Sequence, residues 1–434
     1  MLLLNMKKYT FFFALSFLSI QAQSQNVQEI ATGAGYQKQS FISLSAGTEK
    51  LVNNTAWDIA FTVFGQQDAG VFVNESSGSS MGAALPQVEL YDALTDDFND
   101  QPDPSALTAF RYYNSEKTWS YGAFNERRDT LNSFDFGWGA YNFATNQVDG
   151  NAVYVVKLTN GQYRKLKIES LAGSTYTFKY ANLDGTGLQT KTINKADHAG
   201  KTLAYFNLTT GNTADVEPAT GFDLLYLRYT TQLFDPGTMA YISYNVTGIL
   251  NGRGVKAASA DGVNPVTVAY ADYQDQLLTK LDVIGHDWKA FSGTTWSVDA
   301  DRVFFVKTAD THVWKLHFID FEGSTTGKAV FEKTDLGAFS AVKDPAALGL
   351  EAIVYPNPVQ DELTVALDIP ASLSGNAQLE VVDLQGRMVL QQSVVLTGGF
   401  QVFQLPSTTW APGMHFLRLM LPGQEIKLGK IIKQ

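Results

Sequence analysis

Short stretches of alternating apolar and polar residues occur along most of the chain, a pattern typical of β-strands. Two of them, residues 154–158 and 162–168, flank the dipeptide Asn160-Gly161. Asn-Gly between alternating stretches is the strongest short-range signal for a β-hairpin, because both residues accept positive φ angles. Helical periodicity is weak and confined to residues 104–113 and 270–284. The pattern therefore predicts a mainly β protein.

This hairpin sequence occurs twice. VVKLTNGQYRKLKI, residues 155–168, aligns without a gap with FVKTADTHVWKLHF, residues 305–318. The alignment extends upstream at the same offset and pairs Trp138 with Trp288. The similarity therefore covers more than a single turn motif.

A second block is also repeated, because residues 40–61 resemble residues 205–226. Two blocks in the same order indicate a tandem duplication. Segment 58–74 of the first copy corresponds to the longer segment 223–251, so the second copy has a loop 12 residues longer near TTQLFDPGTMAY.

The chain begins with a segment that resembles an export signal. A basic start at Met6–Lys8 is followed by an apolar stretch and small residues, which predicts a signal peptide. No later run of 18 apolar residues occurs, so the mature chain is expected to have no transmembrane segment. The predicted parts are a signal peptide at 1–25, a β-rich module at 26–195, a second such module at 196–337, a linker at 338–350 and a C-terminal domain at 351–434.

Charge and cysteine content limit the chemistry of the protein. The formal net charge of −11 makes nucleic acid and anionic membranes poor partners. The chain has no cysteine, which excludes disulfides, thiolate catalysis and zinc sites that use sulfur. A secreted chain of this kind is expected to depend on packing alone for its stability.

Two of the five histidines, His312 and His317, lie in one predicted strand. Residues of opposite parity point to opposite faces of a strand, so these two side chains cannot bind one metal ion. Their counterparts in the first copy are Gln162 and Lys167, which favours solvated strand positions for both.

No sequence motif proposes catalysis or metal binding. The chain lacks HExxH, GxSxG and P-loop motifs, so we expect no metal site and no enzymatic activity. Five aspartates in residues 92–107 do not follow the spacing of an EF-hand, which favours a solvated acidic loop over a calcium site.

The C-terminal region contains a set of separately spaced motif residues, Tyr355, Pro356, Asn357, Pro358, Asp383, Gly386, Arg387, Pro412, Gly413, Lys430 and Lys433. In these residues the region resembles the type A C-terminal sorting domain of the type IX secretion system. Short alternating strands between turn residues fit a small β-sandwich. The resemblance implies export by the type IX machinery to the surface or surroundings of a Gram-negative bacterium.

The first repeat contains FISLSAGTEK, then TAWDIAF, and then the hairpin at residues 154–168. In these motifs the repeated modules resemble the HmuY family of secreted haem-binding proteins. The resemblance implies two tandem HmuY-like modules, with Trp57 and Phe222 as core anchors and with Asp58 and Asp223 as buried turn caps.

The same resemblance implies haem capture through paired histidine or methionine ligands. The candidates here are Met81 in the first module, and Met239 with His286 in the second. Haem capture is one reading of the function. The alternative is a non-enzymatic adhesive or structural surface protein that binds a glycan or another protein.

Overall fold

The computed structural model describes residues 26–65, 68–77, 87–107, 109–338, 342–343, 348–370, 373–384, 386–421 and 424–434. Regular structure in these residues consists of β-strands and 3-10 turns, which confirms the predicted mainly β class. The turns are Ala34–Tyr36, Asn54–Ala56, Glu75–Ser77, Pro104–Ala106, Ala123–Asn125, Lys195–His198, Tyr270–Asp272, Gln274–Gln276 and Gly323–Thr325. Of the two stretches with weak helical periodicity, the first contains a 3-10 turn and the short strand Arg111–Tyr112, and the second contains two 3-10 turns.

The strands follow the repeat along the chain. Up to the end of the first repeat they are β1 (Asn26–Ala31), β2 (Lys38–Ser43), β3 (Thr48–Asn53), β4 (Ile59–Thr62), β5 (Val71–Val73), β6 (Glu89–Asp92), β7 (Arg111–Tyr112), β8 (Gly139–Asn142), β9 (Gln147–Gly150), β10 (Tyr154–Lys157), β11 (Tyr163–Ala172) and β12 (Thr175–Ala181). The next are β13 (Gln189–Asn194), β14 (Leu203–Asn207), β15 (Asn212–Ala214), β16 (Leu224–Asp235), β17 (Ala240–Asn251), β18 (Lys256–Ala260), β19 (Lys289–Phe291), β20 (Trp296–Val298), β21 (Val303–Lys307), β22 (His312–Phe321) and β23 (Lys328–Ala338). The C-terminal strands are β24 (Val342–Lys343), β25 (Glu351–Tyr355), β26 (Glu362–Ile369), β27 (Gly375–Asp383), β28 (Met388–Leu396), β29 (Gly399–Pro406), β30 (Gly413–Leu421) and β31 (Gln424–Lys433).

Two large antiparallel sheets have matching strand arrangements. One has the order β13-β12-β11-β10-β6-β7, and the other has the order β1-β23-β22-β21-β18. The hairpin predicted at Asn160 joins β10 to β11, with Lys157 opposite Tyr163. Its repeat joins β21 to β22, with Lys307 opposite Val313. The N-terminal strand β1 pairs with β23, almost 300 residues away along the chain.

Two smaller sheets show that the repeats exchange hairpins. Their orders are β15-β14-β4-β5 and β17-β16-β2-β3. Hairpin β2–β3 precedes β4 in sequence but pairs with β16, where Ile42 lies opposite Leu224. Hairpin β14–β15 precedes β16 but pairs with β4, where Tyr205 lies opposite Ala60. We call β4 to β15 the first half of the molecule, and β1 to β3 with β16 to β23 the second half.

The two four-stranded sheets pack face to face over a shared apolar core. We call this core the inter-sheet cluster, and its buried members come from both halves. They are Phe41, Val52, Trp57, Ala60, Phe72, Trp119, Leu203, Tyr205, Val216, Leu225, Leu227, Tyr229, Val246, Leu250 and Leu281. Trp57 is a buried core residue, as predicted, and its ring lies 5.0 Å from that of Tyr205. Phe222 is only partly buried against the same cluster.

Two repeat-related aspartates attach the exchanged hairpins. The Oδ2 atom of Asp58 accepts a hydrogen bond of 2.7 Å from the N–H of Leu208, directly after β14. The Oδ2 atom of Asp223 accepts one of 2.8 Å from the N–H of Leu44, directly after β2. Each carboxylate therefore caps a turn of the other repeat. Burial raises the pKa of Asp58 to about 6, although the N–H donors oppose this shift.

The C-terminal residues form a β-sandwich with its own core. One sheet has the order β24-β31-β30-β27-β28 and the other the order β25-β26-β29. Leu363, Leu379 and Leu417 belong to the apolar cluster between them. This architecture agrees with the small sandwich expected for the sorting domain.

Hairpin exchange predicts that a chain cut between the repeats stays together. Gly200 is exposed at the turn before β14, so a protease site inserted there is accessible. After cleavage we expect the two fragments to co-elute from a gel-filtration column, because β1 and β2 of one fragment pair with β23 and β16 of the other. They should separate only in denaturant. Separation in native buffer would contradict the exchange.

Loss of an aspartate cap should destabilise both halves. Asp58→Ala leaves the N–H of Leu208 buried without its acceptor, which costs about 1–3 kcal/mol of unfolding free energy. Asp58→Asn keeps an oxygen at this position and should cost less. Urea denaturation of both variants tests the prediction, and equal losses for alanine and asparagine would argue against a capping role.

Candidate binding cleft between the two halves

Residues 113–130 form a loop that lies along the edge strand β5. The Oδ1 atom of Asn114 accepts a hydrogen bond from the N–H of Val73 at 3.1 Å, and its Nδ2 donates to the Val73 carbonyl at 2.7 Å. The Oδ1 atom of Asn125 accepts from the N–H of Val71 at 2.9 Å. These two amide side chains satisfy the backbone of β5 as a neighbouring strand would, and they fix the path of the loop.

Glu75 connects this loop to the second half of the molecule. Its side chain accepts hydrogen bonds from the N–H of Asn114 at 2.8 Å and from the N–H of Thr230 in β16 at 3.0 Å. The neighbouring Ser76 hydroxyl donates to the carbonyl of Arg228 at 2.8 Å. Glu75 is only 4% exposed, and burial raises the pKa of its carboxyl to about 7.

An open cleft of about 570 Å³ lies between the loop and residues 230–232 of β16. This volume is within the range of small-molecule sites, roughly 300–1,000 Å³. Tyr113 and Tyr121 contribute aromatic rings to its lining. The guanidinium carbon of Arg128 lies 3.9 Å from the centre of the Tyr121 ring. This cation–π contact with Arg128 supports the orientation of the Tyr121 ring in the cleft.

The lining of this cleft is formally neutral, although the whole chain has a net charge of −11. Glu116 and Glu126 are balanced by Lys117 and Arg128. Six further polar lining residues provide hydroxyl and amide groups, whereas Asn114 and Asn125 direct their amides to the backbone of β5. The six are Ser115, Thr118, Thr130, Thr230, Thr231 and Gln232. Such a surface offers both donors and acceptors and suits an uncharged polar ligand.

A smaller cavity of about 50 Å³ lies next to the cleft and shares Asn114 and Thr230 with it. Its walls are mainly apolar and include Trp57, Trp119 and Leu227 of the inter-sheet cluster. This volume has room for only a few water molecules. It is far too small for a porphyrin.

The structure does not bring Met239 and His286 together. Met239 lies at the tip of the β16–β17 hairpin and is 75% exposed. His286 lies beside Gly248, near the other end of β17. Eight residues from Ala240 to Gly248, at ~3.3 Å each, correspond to about 26 Å. Two axial ligands of one haem must be on opposite faces of the same ring, so this pair does not fit that role.

Of the other histidine and methionine residues singled out in the sequence, only some lie in the described part of the chain. Met81 lies outside the described residues. His317 is half-buried, and its ring nitrogens lie 3.3 Å from Glu332 Oε2 and 3.1 Å from the Ala300 carbonyl. It is therefore less solvated than the sequence suggested. Among the residues that the structure describes, no group of three or more His, Asp or Glu side chains is placed to hold a metal ion.

The sorting-motif residues connect the two ends of the C-terminal domain. The Nδ2 atom of Asn357 donates to the Lys430 carbonyl at 2.8 Å, and its Oδ1 accepts from the N–H of Ile432 at 2.8 Å. Arg387 and Asp383 form an ion pair of 2.7 Å around the turn that contains Gly386. The remaining motif residues are Tyr355, Pro356 and Pro358 after β25, Pro412 and Gly413 at the start of β30, and Lys433 at the end of β31.

Sequence reasoning missed the residues that form the cleft. Glu75 lies two residues after the end of the apolar strand β5, and a carboxylate so close to a buried strand was the one available signal. Asn114, Tyr121 and Arg128 lie in a stretch without periodicity or motif spacing. Their common location depends on the approach of the first-half loop to β16.

Comparison with known proteins identifies two regions of the chain. Residues 35–184 match the family model described as HmuY protein. Residues 353–434 match the model described as secretion system C-terminal sorting domain. No curated protein matches the chain. In the part of the chain that the structure describes, no helix is long and apolar enough to cross a membrane.

The comparison with solved structures adds little. The crystal structure of apo PinO from Porphyromonas gingivitis aligns with 73% of this chain and with all of its own chain, at 10% identity. The TM-score is 0.22, too low for the alignment to support a structural argument.

The match of residues 353–434 to the sorting domain indicates a secreted or outer-surface protein of a Gram-negative bacterium. Its sorting domain implies the type IX machinery as the export partner. Within this class, residues 35–184 are similar to the HmuY protein family. That residues 196–337 form a second HmuY-like module stays a prediction, which the matching strand order of the two large sheets supports.

The buried carboxyl of Glu75 should make stability depend on pH. Its pKa is 4.5 in an unfolded chain and about 7 in the folded protein. Between these values the folded state binds more protons than the unfolded state, so the contribution of Glu75 to stability falls as pH rises from 4.5 to about 7. Glu75→Gln removes this effect, and the variant should gain on the order of 1–3 kcal/mol relative to the parent across that window.

Urea denaturation of parent and variant at a series of pH values from 4.5 to 8 measures this change. Other titrating groups, Asp58 included, affect both proteins equally and cancel in the difference. A parent-to-variant difference that stays constant over the whole range would contradict the assignment to Glu75.

Proposed function

We propose that this is a non-catalytic binding protein of the bacterial surface, and that its ligand site is the cleft between the two halves. The main support is the cleft itself, whose 570 Å³ are lined by two tyrosines and a neutral set of polar side chains. Both matching families are non-enzymatic. The sorting domain delivers this site to the outside of the cell.

A glycan is the ligand class that these contacts favour. Sugars present hydroxyl groups around an apolar ring face, and the cleft offers hydroxyl and amide partners beside the Tyr113 and Tyr121 rings. An uncharged ligand also avoids the field of a chain with a net charge of −11. The Glu116 carboxylate can accept hydrogen bonds from the hydroxyl groups of such a ligand, and the Lys117 ammonium group can donate to them.

Haem capture is the second candidate. The match of residues 35–184 to the HmuY model favours it, because the cleft loop at 113–130 lies inside that region. Against it, the described residues bring no two of the proposed axial donors to one place. We therefore rank haem below a polar ligand for this cleft.

Two measurements on the purified protein test the proposal. A glycan array should give specific binding, and Tyr121→Ala should weaken the strongest interaction by about tenfold or more, equivalent to about 1.4 kcal/mol. Tyr241→Ala is the matched control, since Tyr241 is 71% exposed and lies outside the cleft lining. It should bind like the parent.

Haemin titration provides the opposing test. We expect no shift of the Soret band at micromolar protein. A Soret shift without glycan binding would favour haem capture, and equal losses in Tyr121→Ala and Tyr241→Ala would remove the cleft as the binding site.

A further inference from the structure

The β16–β17 hairpin projects beyond the sheet to which it belongs. We call its outer part, residues 231–244, the arm. Strand β2 pairs with β16 only as far as Tyr226, so the arm is a two-stranded ribbon. It corresponds to the 12-residue extension of the second repeat. A two-stranded ribbon is marginally stable in water unless another surface covers it.

The arm is apolar and almost without charge. Its side chains include Leu233, Phe234, Met239, Tyr241, Ile242 and Tyr244, of which all but Leu233 are exposed. Asp235 is its one charged residue, in a chain with a net charge of −11. The arm is therefore a surface on which two copies of this acidic protein can approach with little repulsion.

One face of the arm continues a buried face of the molecule. Paired residues of a hairpin share a face, and Leu233 lies opposite Ile242. Along β16, Leu233 has the same parity as Leu227 and Tyr229, which belong to the inter-sheet cluster. Leu233 itself packs against that cluster. We call this side the inner face, and Tyr244 belongs to it through its pairing with Thr231.

In the part of the chain that the structure describes, no sheet covers the inner face of the arm. Within the body of the protein, the four-stranded sheet of the first half covers the corresponding face of β16 and β17. The strands of the repeat-related hairpin are shorter, because β4 ends at Thr62 and β5 begins at Val71. Ile242 and Tyr244 are exposed.

We propose that the inner face of the arm packs against the same face of a second copy of the chain, and forms a two-fold symmetric dimer. Inside each molecule, two related sheets already pack face to face over the inter-sheet cluster. Two arms related by a two-fold axis would extend that packing, with each arm supplying the counterpart that the other lacks. Such an isologous contact closes on itself and needs one type of surface only.

The two faces of the ribbon allow a matched test. Ile242→Lys introduces a positive charge on the inner face. Tyr241→Lys introduces the same charge on the opposite face, where the ring centres of Tyr241 and Phe234 lie 5.6 Å apart. In sedimentation equilibrium of the full chain, we expect a concentration-dependent dimer. Ile242→Lys should raise its dissociation constant at least about tenfold, and Tyr241→Lys should leave it within about twofold.

Crosslinking locates the contact, because the chain has no cysteine of its own. Tyr244→Cys should give a covalent dimer with a short bis-maleimide reagent, and Tyr241→Cys should not. A parent protein that stays monomeric at every concentration would overturn the proposal. A dimer that Tyr241→Lys weakens as much as Ile242→Lys would also overturn it, since the inner face would not be the contact.

Discussion

The exchange of hairpins between the two repeats is the constraint on which the rest of the structure depends. Hairpin β2–β3 hydrogen-bonds to β16, and hairpin β14–β15 hydrogen-bonds to β4. The apolar side chains of all four hairpins then meet in the inter-sheet cluster. Neither repeat can bury its share of this cluster alone. The entropic cost of closing a long loop grows only slowly with its length, so the cluster can stabilise pairing between strands that are far apart in the sequence.

The same exchange creates the cleft. The loop at 113–130 belongs to the first half and β16 to the second, and Glu75 accepts N–H groups from both. A buried carboxylate is costly to ionise, and its two N–H donors offset part of that cost. Glu75 therefore connects the two walls of the cleft, the loop at 113–130 and strand β16, through its hydrogen bonds. Any ligand between these walls also contacts both halves, so its binding would stabilise their association.

Features of the fold that depend on neighbouring residues could be predicted from the sequence, whereas the pairing of strands that are far apart in the sequence could not. The hairpin at Asn160 follows from turn chemistry, which involves neighbouring residues only, and the structure contains it. The partner of β2 is different. Strands β2 and β14 have similar sequences, so pairing within a repeat and pairing between repeats would bury equivalent side chains. The cleft residues were missed for the same reason, because contacts between the halves determine their position.

The duplicated framework is common to both halves, whereas the surface features differ. Lys165 and Lys315 are repeat-related, and each ammonium group donates to a loop carbonyl, that of Asp100 at 2.9 Å and that of Pro265 at 2.8 Å. The first half adds the cleft loop, and the second half adds the arm. Both additions lie next to the outer end of β16, where Thr231 and Gln232 line the cleft and begin the arm. Ligand binding in the cleft and association through the arm would therefore affect one another through this strand.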